Sequence, residues 1–483
     1  MDQTQSLKNA TITGFIWRLS QNFGTQFINF GIQIVLARIL LPETYGIIAL
    51  TAIFSAIANV LIQGAFSSSI VQRKKITDLE LSSVFYLSVM LSLVFFGMMF
   101  AVSPFVANFY NEPLLEAVLR VQAINIVIGS LYTVHQSLMI RHMQYKKGFF
   151  SGLAGTIAQG VIGITLALNG YGVWALVFST LANNIITSLI VIMLVKWKPK
   201  LEFSLSSVKS LFDYGSKIFI INFMNAIYTN LLSLFIGKIY DSERLGYYNK
   251  GYSFPVLIMI NVDGAINTVL FSSLSKMQDD PEGGLKVLRR SMKMSMFLSA
   301  PAMLGLVAVA EPMISFLLTD KWLPSVPFLR IIALGCLIWP LSARMQAINA
   351  IGRSDVALKL NIALRVIGVI FIIIFSRFNI YVLVLSTIVG EFIIAVILSF
   401  VIDKMIGYKV KDQLMDILPS LALAGFMAVI VWSITLLNLS DLITLTTQLF
   451  SGAMLYLAFA LLFKMESLTY LIQTAKSMLR KKG

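Results

Sequence analysis

Fourteen apolar runs, each about long enough to cross a hydrocarbon core, follow one another along the 483 residues. They fall at about 11–36, 44–64, 80–103, 115–140, 149–168, 171–195, 214–238, 246–274, 292–310, 326–350, 357–376, 379–402, 416–437 and 442–463. Backbone groups in lipid must bond within the chain, and runs of this length do so as helices rather than barrel strands. Two runs carry an internal polar row. In the first, Asn22, Thr25, Asn29 and Gln33 share a helical face with Arg18, and Gln26 lies beside it. In the seventh, Asn222, Asn225, Thr229 and Ser233 stand at the same places, offset by 200. The offset continues: Arg38-Ile39, Glu43 and Gly46 answer to Lys238-Ile239, Glu243 and Gly246, and Gly64-Ala65 to Gly264-Ala265. The pattern predicts an all-α integral membrane protein of 14 transmembrane helices, built as two repeated six-helix bundles plus a C-terminal helix pair. Residues 1–195 form the first bundle, 196–213 a cytoplasmic linker and 214–402 the second bundle. Residues 403–483 hold helices 13 and 14 and a basic tail. Repeated membrane halves with polar groups at mid-depth suit a transporter that rocks one half against the other.

Composition agrees: 57% of residues are hydrophobic, 13% are charged and the mean hydropathy is +0.82. A net charge of +15 raises the question of nucleic acid, and its distribution answers it. With the N-terminus inside, 26 of the 38 Lys and Arg fall in cytoplasmic segments, seven in the opposite loops and five within helices. That asymmetry places both termini in the cytoplasm of a multi-pass inner-membrane protein and leaves no role for nucleic acid. The single cysteine, Cys336, sits in an apolar run and reads as packing, and it excludes a disulfide framework. The expected loops are too short for a folded catalytic domain. No small-residue cleavage site follows the first apolar run, which is therefore expected to remain as a helix.

Several short motifs now become readable. Ala37-Arg38-Ile39-Leu40-Leu41-Pro42-Glu43-Thr44-Tyr45-Gly46 resembles the stretch that follows helix 1 in polysaccharide-transport flippases. Gln72-Arg73-Lys74-Lys75, Gly170-Tyr171-Gly172-Val173-Trp174-Ala175-Leu176, the segment from Leu245 to Tyr252 and Gly352-Arg353-Ser354-Asp355 are similar to further stretches of the same family. These are the Wzx-type members of the superfamily that also holds MATE multidrug exporters and lipid II flippases, and the branch most resembled is that of colanic-acid and related exopolysaccharide exporters. The resemblance implies movement of an undecaprenyl-diphosphate-linked oligosaccharide from the cytoplasmic to the periplasmic leaflet by alternating access. It implies membrane lipids as surroundings, polymerases and glycosyltransferases of one pathway as partners, and a monomer that needs no cofactor.

Such a substrate needs cations for the diphosphate, hydrogen-bonding groups for the sugars and an apolar groove for the tail. Arg18, about 10–12 Å along the helix from its cytoplasmic end, either snorkels to the interface or continues the polar row into a cavity. Lys217 has the same two readings. Arg344 and Arg365 complete a funnel of four cations suited to a diphosphate entering from the inner leaflet. The neutral members are Asn22, Thr25, Gln26, Asn29, Gln33, Asn222, Asn225 and Thr229; one polar residue alone would be helix–helix glue, and a row reads as a cavity wall. Asp263 and Glu391 are carboxylates at membrane depth, either proton or sodium sites or salt-bridge partners of a cavity arginine. His135 and His142 lack a neighbouring carboxylate in sequence, and Asp279-Asp280 reads as a solvated turn. Arg38, Glu43, Lys238 and Glu243 read as pairing or capping groups where the chain turns back.

Other classes remain to be weighed. A MATE-type cation-coupled drug exporter fits less well, because residues 11–36 hold no acidic side chain and helices 13 and 14 are present. A membrane polysaccharide polymerase or ligase resembles chains with a long periplasmic loop, and here the nearest, 311–325, holds no histidine. A purely structural membrane protein would not retain polar rows that cost stability.

Overall fold

The computed structural model describes Trp17 and residues 24–64, 66–275, 280–437 and 439–480, and among them every regular element is helical. Helix α1 covers 24–39. Next come α2 (Pro42–Asn59), α3 (Phe66–Gln72), α4 (Asp78–Tyr110), α5 (Pro113–Arg141), α6 (Tyr145–Leu168), α7 (Val173–Leu194), α8 (Leu205–Ile239) and α9 (Ser242–Ser275). After them run α10 (Pro281–Leu318), α11 (Val326–Cys336), α12 (Ala343–Ala350), α13 (Ser354–Phe375), α14 (Ile380–Ile406), α15 (Val410–Ser433), α16 (Asp441–Leu462) and α17 (Glu466–Arg480). Among the described residues, 12 helical segments are long and apolar enough to cross a membrane. The two other expected runs, 11–36 and 246–274, correspond to α1 and α9, and each includes residues outside the described side chains.

Local chemistry sets the helix ends. Thr77 and Glu80 form a reciprocal capping box at the start of α4. Asn379 accepts from the backbone N–H groups of Tyr381 and Val382 to start α14. Asp280 accepts from Gly283 N at 2.9 Å to start α10, so its carboxylate is an N-cap, while Asp279 lies outside the described residues. The motif Gly170-Tyr171-Gly172 turns α6 into α7 with φ of +78° and +54° at its two glycines, a conformation that side chains with a Cβ resist. The expected run 326–350 is not one helix. It breaks into α11, a 3-10 turn at Trp339–Ser342 and α12, because Pro340 lacks an N–H and cannot continue the α-helical ladder.

The chain folds as two compact units, Met1–Gly246 and Tyr247–Gly483. In the first, α4 and α5 close on each other through serines: Ser92 Oγ donates to Ser130 Oγ at 3.0 Å, and both are fully buried. Small side chains let such helices approach where hydrophobicity alone gives no drive. Glycines of α6 do the same for α1: Gly160 receives Ile32, and Gly163 receives Leu36 and, from α7, Ser179. Helix α8, which the sequence grouped with the residues after the linker, packs here on α2, α3 and α4 of the first unit. In the second unit α10 is the central element, packed against α11, α15 and α16. A core of Leu288, Met292, Ala347, Ile348, Ile402 and Tyr408 fills one end of it.

Candidate functional site

Two helices of the first unit, α1 and α8, carry the polar rows that the sequence singled out. On α1, Gln26 and Gln33 are half-buried and Asn29 is exposed. Thr25 belongs to the packing side: its Cγ2 lies 3.6 Å from the place a Cβ on Gly152 would take. Arg18 and Asn22 lie outside the described residues. On α8, Asn222, Asn225 and Ser233 are half-buried and Thr229 is exposed. Thr229 Oγ1 donates to Asn225 O at 2.9 Å, so one hydrogen-bonding capacity is spent on its own helix. The side chain of Lys217 is outside the described set.

A third polar group was not singled out from the sequence. Asn183 Nδ2 donates to Gln159 Oε1 at 2.8 Å, and Asn184 Nδ2 donates to Asn125 Oδ1 at 2.8 Å. Thr187 Oγ1 lies 3.3 Å from Asn183 Oδ1. These pairs join α5, α6 and α7 at membrane depth. The available signal was the adjacent pair Asn183-Asn184 inside an otherwise apolar run; its partners are 24 and 59 residues away and carry no local pattern.

In the second unit Arg344, expected in a cation funnel, is 1% exposed and held by protein groups. Its Nε donates to Leu341 O at 3.0 Å, and its Nη1 donates to Gln413 Oε1 at 2.8 Å and to Ser399 Oγ. After the break at Pro340, α12 packs against α10, α13 and α14, and the guanidinium reaches Gln413 of α15. Arg365 is half-buried on α13. Asp263 accepts from Ser342 Oγ at 3.5 Å. Glu391 on α14 stands within electrostatic reach of Tyr248, Tyr252 and Cys336, none of them a cation, and Cys336 itself is buried. His135 meets Trp197, ring against ring at 5.2 Å, with its Nε2 3.2 Å from the Trp197 carbonyl.

A groove of about 700 Å³ opens between α10, α15, α16 and the first turn of α17. Pro419, Leu423, Phe426, Phe459 and Phe463 give it an apolar wall, with Phe426 and Phe463 more than half exposed at its side. One end is ionic. Asp416 accepts from Arg289 Nε at 2.7 Å and Nη2 at 3.0 Å, and Tyr408 OH donates to it at 2.6 Å. Burial, then the bond to Asp416, push the Tyr408 phenol well above its ordinary pKa, so it stays a donor. Lys293 bridges Asp416 at 3.5 Å and Glu466 at 2.7 Å.

The sequence profile described as polysaccharide biosynthesis protein matches residues 35–327, more than half of the chain. The chain belongs to that family. Among relatives of this polysaccharide biosynthesis protein is the lipopolysaccharide biosynthesis protein WzxC of Escherichia coli (strain K12), 26% identical over 74% of this chain and 73% of that one. The succinoglycan biosynthesis transport protein ExoT of Rhizobium meliloti (strain 1021) is 24% identical over 73% of this chain and 72% of that one. The fold is similar to that of the lipid II flippase MurJ in an inward closed conformation, with a TM-score of 0.75 at 20% identity, covering 93% of this chain and 98% of that one. It is also similar to an inward-facing MATE multidrug transporter, with a TM-score of 0.66 at 16% identity over 82% and 98% of the two chains.

Family motifs take structural roles in this polysaccharide biosynthesis protein. Arg73 pairs with Glu80 at 2.5 Å. Gly46 lies against the Ser242 backbone and Gly246 against the Pro42 backbone, each leaving no room for a Cβ. Gly251 packs on Phe328 and on the backbone of Ser325 and Leu329. Arg353 pairs with Asp355 at 3.0 Å.

Proposed function

We propose that the protein moves an undecaprenyl-diphosphate-linked oligosaccharide across the bacterial inner membrane, from the cytoplasmic to the periplasmic leaflet. The carrying observation is the pair of polar faces on α1 and α8, left part-exposed at membrane depth in a member of the polysaccharide biosynthesis family. Amide groups turned to lipid would stay unsatisfied at a cost of several kcal/mol each, whereas a wet cavity hydrates them and lets them exchange water for sugar hydroxyls. Gln26, Asn29, Gln33, Asn222 and Asn225 are the sugar-facing candidates. Arg18, Lys217 and Arg365 are the candidates for the diphosphate. The groove bounded by Phe426, Phe459 and Phe463 suits the isoprenoid tail, since its wall is apolar and its end carries Lys293. Fourteen spans in two repeated bundles with a helix pair, both termini in the cytoplasm and alternating access complete the reading. Asp263 and Glu391 are the candidates for coupling to a proton or sodium gradient. A polymerase and glycosyltransferases of the same pathway supply and consume the substrate.

The test is reconstitution in liposomes with a fluorescent short-chain polyprenyl-diphosphate glycan, reading the rate at which an impermeant quencher reaches label from the protected leaflet. Protein-dependent acceleration is expected, slowed by Asn29→Leu combined with Asn225→Leu. Transport of a lipophilic cation with no acceleration of the glycan lipid would replace this reading with that of a drug exporter.

A further inference from the structure

Helix α17 is 15 residues long, about 22 Å, and follows directly on the span α16. A Schellman turn separates them. The amides of Lys464 and Met465 donate to Leu461 O and Ala460 O, each at 3.0 Å, with Lys464 at φ +49°. The chain thereby leaves the axis of α16 where its apolar run stops. Leu461, Leu462 and Phe463, just before the turn, are each more than half exposed, as befits the lipid-facing side of a span. The base of α17 is pinned to α10: Glu466 pairs with Lys293 at 2.7 Å, and the Arg290 guanidinium lies 3.1 Å over the Tyr470 ring. Cover by the protein then falls away along the helix. Leu468 is 8% exposed, Leu471 is half-buried and Ile472 is 38% exposed. The sequence continues the same spacing with Ala475, Met478 and Leu479, so an apolar row recurs at the helical period. Thr469, Gln473, Lys476, Ser477 and Arg480 take the opposite positions. Between Glu466 and Gly483 there is no acidic residue, and Lys476, Arg480, Lys481 and Lys482 are basic.

We propose that α17 lies in the membrane surface and docks on anionic phospholipid, with its apolar row at the acyl boundary and its basic residues among the headgroup phosphates. Continuity selects a lipid partner. The turn at Lys464 sets the first turn of α17 beside the exposed Leu461–Phe463 stretch, so the apolar row starts at the edge of the hydrocarbon. A helix of this kind sinks its apolar face about 5–10 Å into the boundary between headgroups and acyl chains. Charge selects the headgroup. A zwitterionic surface offers four cations no net attraction, whereas an anionic one draws each basic residue within about a Debye length of it. The protein body covers Leu468 and leaves Ile472 open, so it is not the partner of the whole row. The bonds of Glu466 and Tyr470 to α10 fix how the helix leaves the body, which spares the docking step part of its ordering cost. The inference does not rest on the substrate assigned above and holds for either orientation of the chain in the membrane.

The test uses the full chain with Cys336→Ser in nanodiscs of phosphatidylcholine, with or without phosphatidylglycerol. Ala475→Cys and Leu479→Cys on the apolar row, and Gln473→Cys and Ser477→Cys opposite, each carry one nitroxide label. Relaxation of the label by oxygen, which concentrates in lipid, is compared with relaxation by a neutral water-soluble nickel chelate. With phosphatidylglycerol, the oxygen-to-nickel ratio is expected to be severalfold higher at 475 and 479 than at 473 and 477. In phosphatidylcholine alone, or with Lys476, Arg480, Lys481 and Lys482 all changed to Gln, that contrast is expected to collapse. Two sites on each face keep the reading if one variant does not fold. Row labels shielded from both reagents would mean that protein, from this chain or a second copy, covers the row. Equal nickel access at all four sites would put the helix in water. An undiminished contrast in phosphatidylcholine or in the quadruple variant would remove anionic lipid as the occupant. Any of these overturns the proposal.

Discussion

Arg344 is a guanidinium in the interior of the second unit that forms no ion pair among the described residues and is held by Leu341 O, Ser399 and Gln413. Sequence made its membrane depth legible and left its surroundings hidden, because Ser399 and Gln413 are 55 and 69 residues away. The same limit concealed the pairs Asn125–Asn184 and Gln159–Asn183. Truncating Arg344 leaves buried acceptors unmet, and bonds to a charged group are worth roughly 1.5–3 kcal/mol each. Arg344→Ala is therefore expected to lower stability by about 3 kcal/mol or more. Arg344→Met is expected to lose less, since it also relieves the cost of burying a charge. Urea or thermal unfolding in detergent measures both, with export falling in proportion to the folded protein. Wild-type stability together with lost export would instead assign Arg344 a direct role in transport.

At the scale of the element, two stretches that the sequence aligned at an offset of 200 touch each other: Pro42-Glu43 through Gly46 opens α2, Ser242-Glu243 through Gly246 opens α9, and each glycine lies on the other segment's backbone. Backbone cannot move aside as a flexible side chain can, so a methyl at either position must separate the helices. Gly46→Ala and Gly246→Ala are each expected to be strongly destabilising. Gly97→Ala on α4, where a Cβ meets no described atom within 4 Å, is expected to be neutral or to stabilise by about 0.4–1 kcal/mol. Equal unfolding midpoints for Gly46→Ala and Gly97→Ala would show that the two helix starts separate freely. Helix starts and lengths were readable because caps and apolar runs are local. The break at Pro340 and the short helix α17 were not anticipated. Pro340 lies within a run that is apolar throughout, and α17 is too polar for a span, with Leu468, Leu471 and Ile472 gathered on one face.

At the scale of the whole molecule, the division of charge between loops can be compared with which loops each unit holds together. In the first unit Arg141 donates to the carbonyls of Ile70, Arg73 and Lys74, Lys147 donates to Leu194 O, and Lys200 pairs with Asp78 at 2.8 Å. That pairing raises the pKa of the Lys200 ammonium, chiefly through the hydrogen bond. At the opposite end Lys238 donates to Phe109 O and Ser242 to Glu112. In the second unit Arg289 and Lys293 join the start of α10 to Asp416 and Glu466, while Ser315 donates to Asp320 and Asp441 at the other end. Each cluster gathers segments that the charge count alone assigned to one side. Positive-inside bias then predicts the orientation: the ends holding Lys200 and Arg289 face the cytoplasm, and the ends holding Phe109 and Asp441 face outward. In a Cys336→Ser background, Asp280→Cys is expected to react with a membrane-impermeant thiol reagent only after permeabilisation, and Arg377→Cys in intact cells. Cys336 itself is buried, so its removal costs the assay little background reactivity. Labelling of position 280 from outside would invert the orientation and with it the direction of flipping, because the cations proposed for the diphosphate would then open to the periplasmic leaflet.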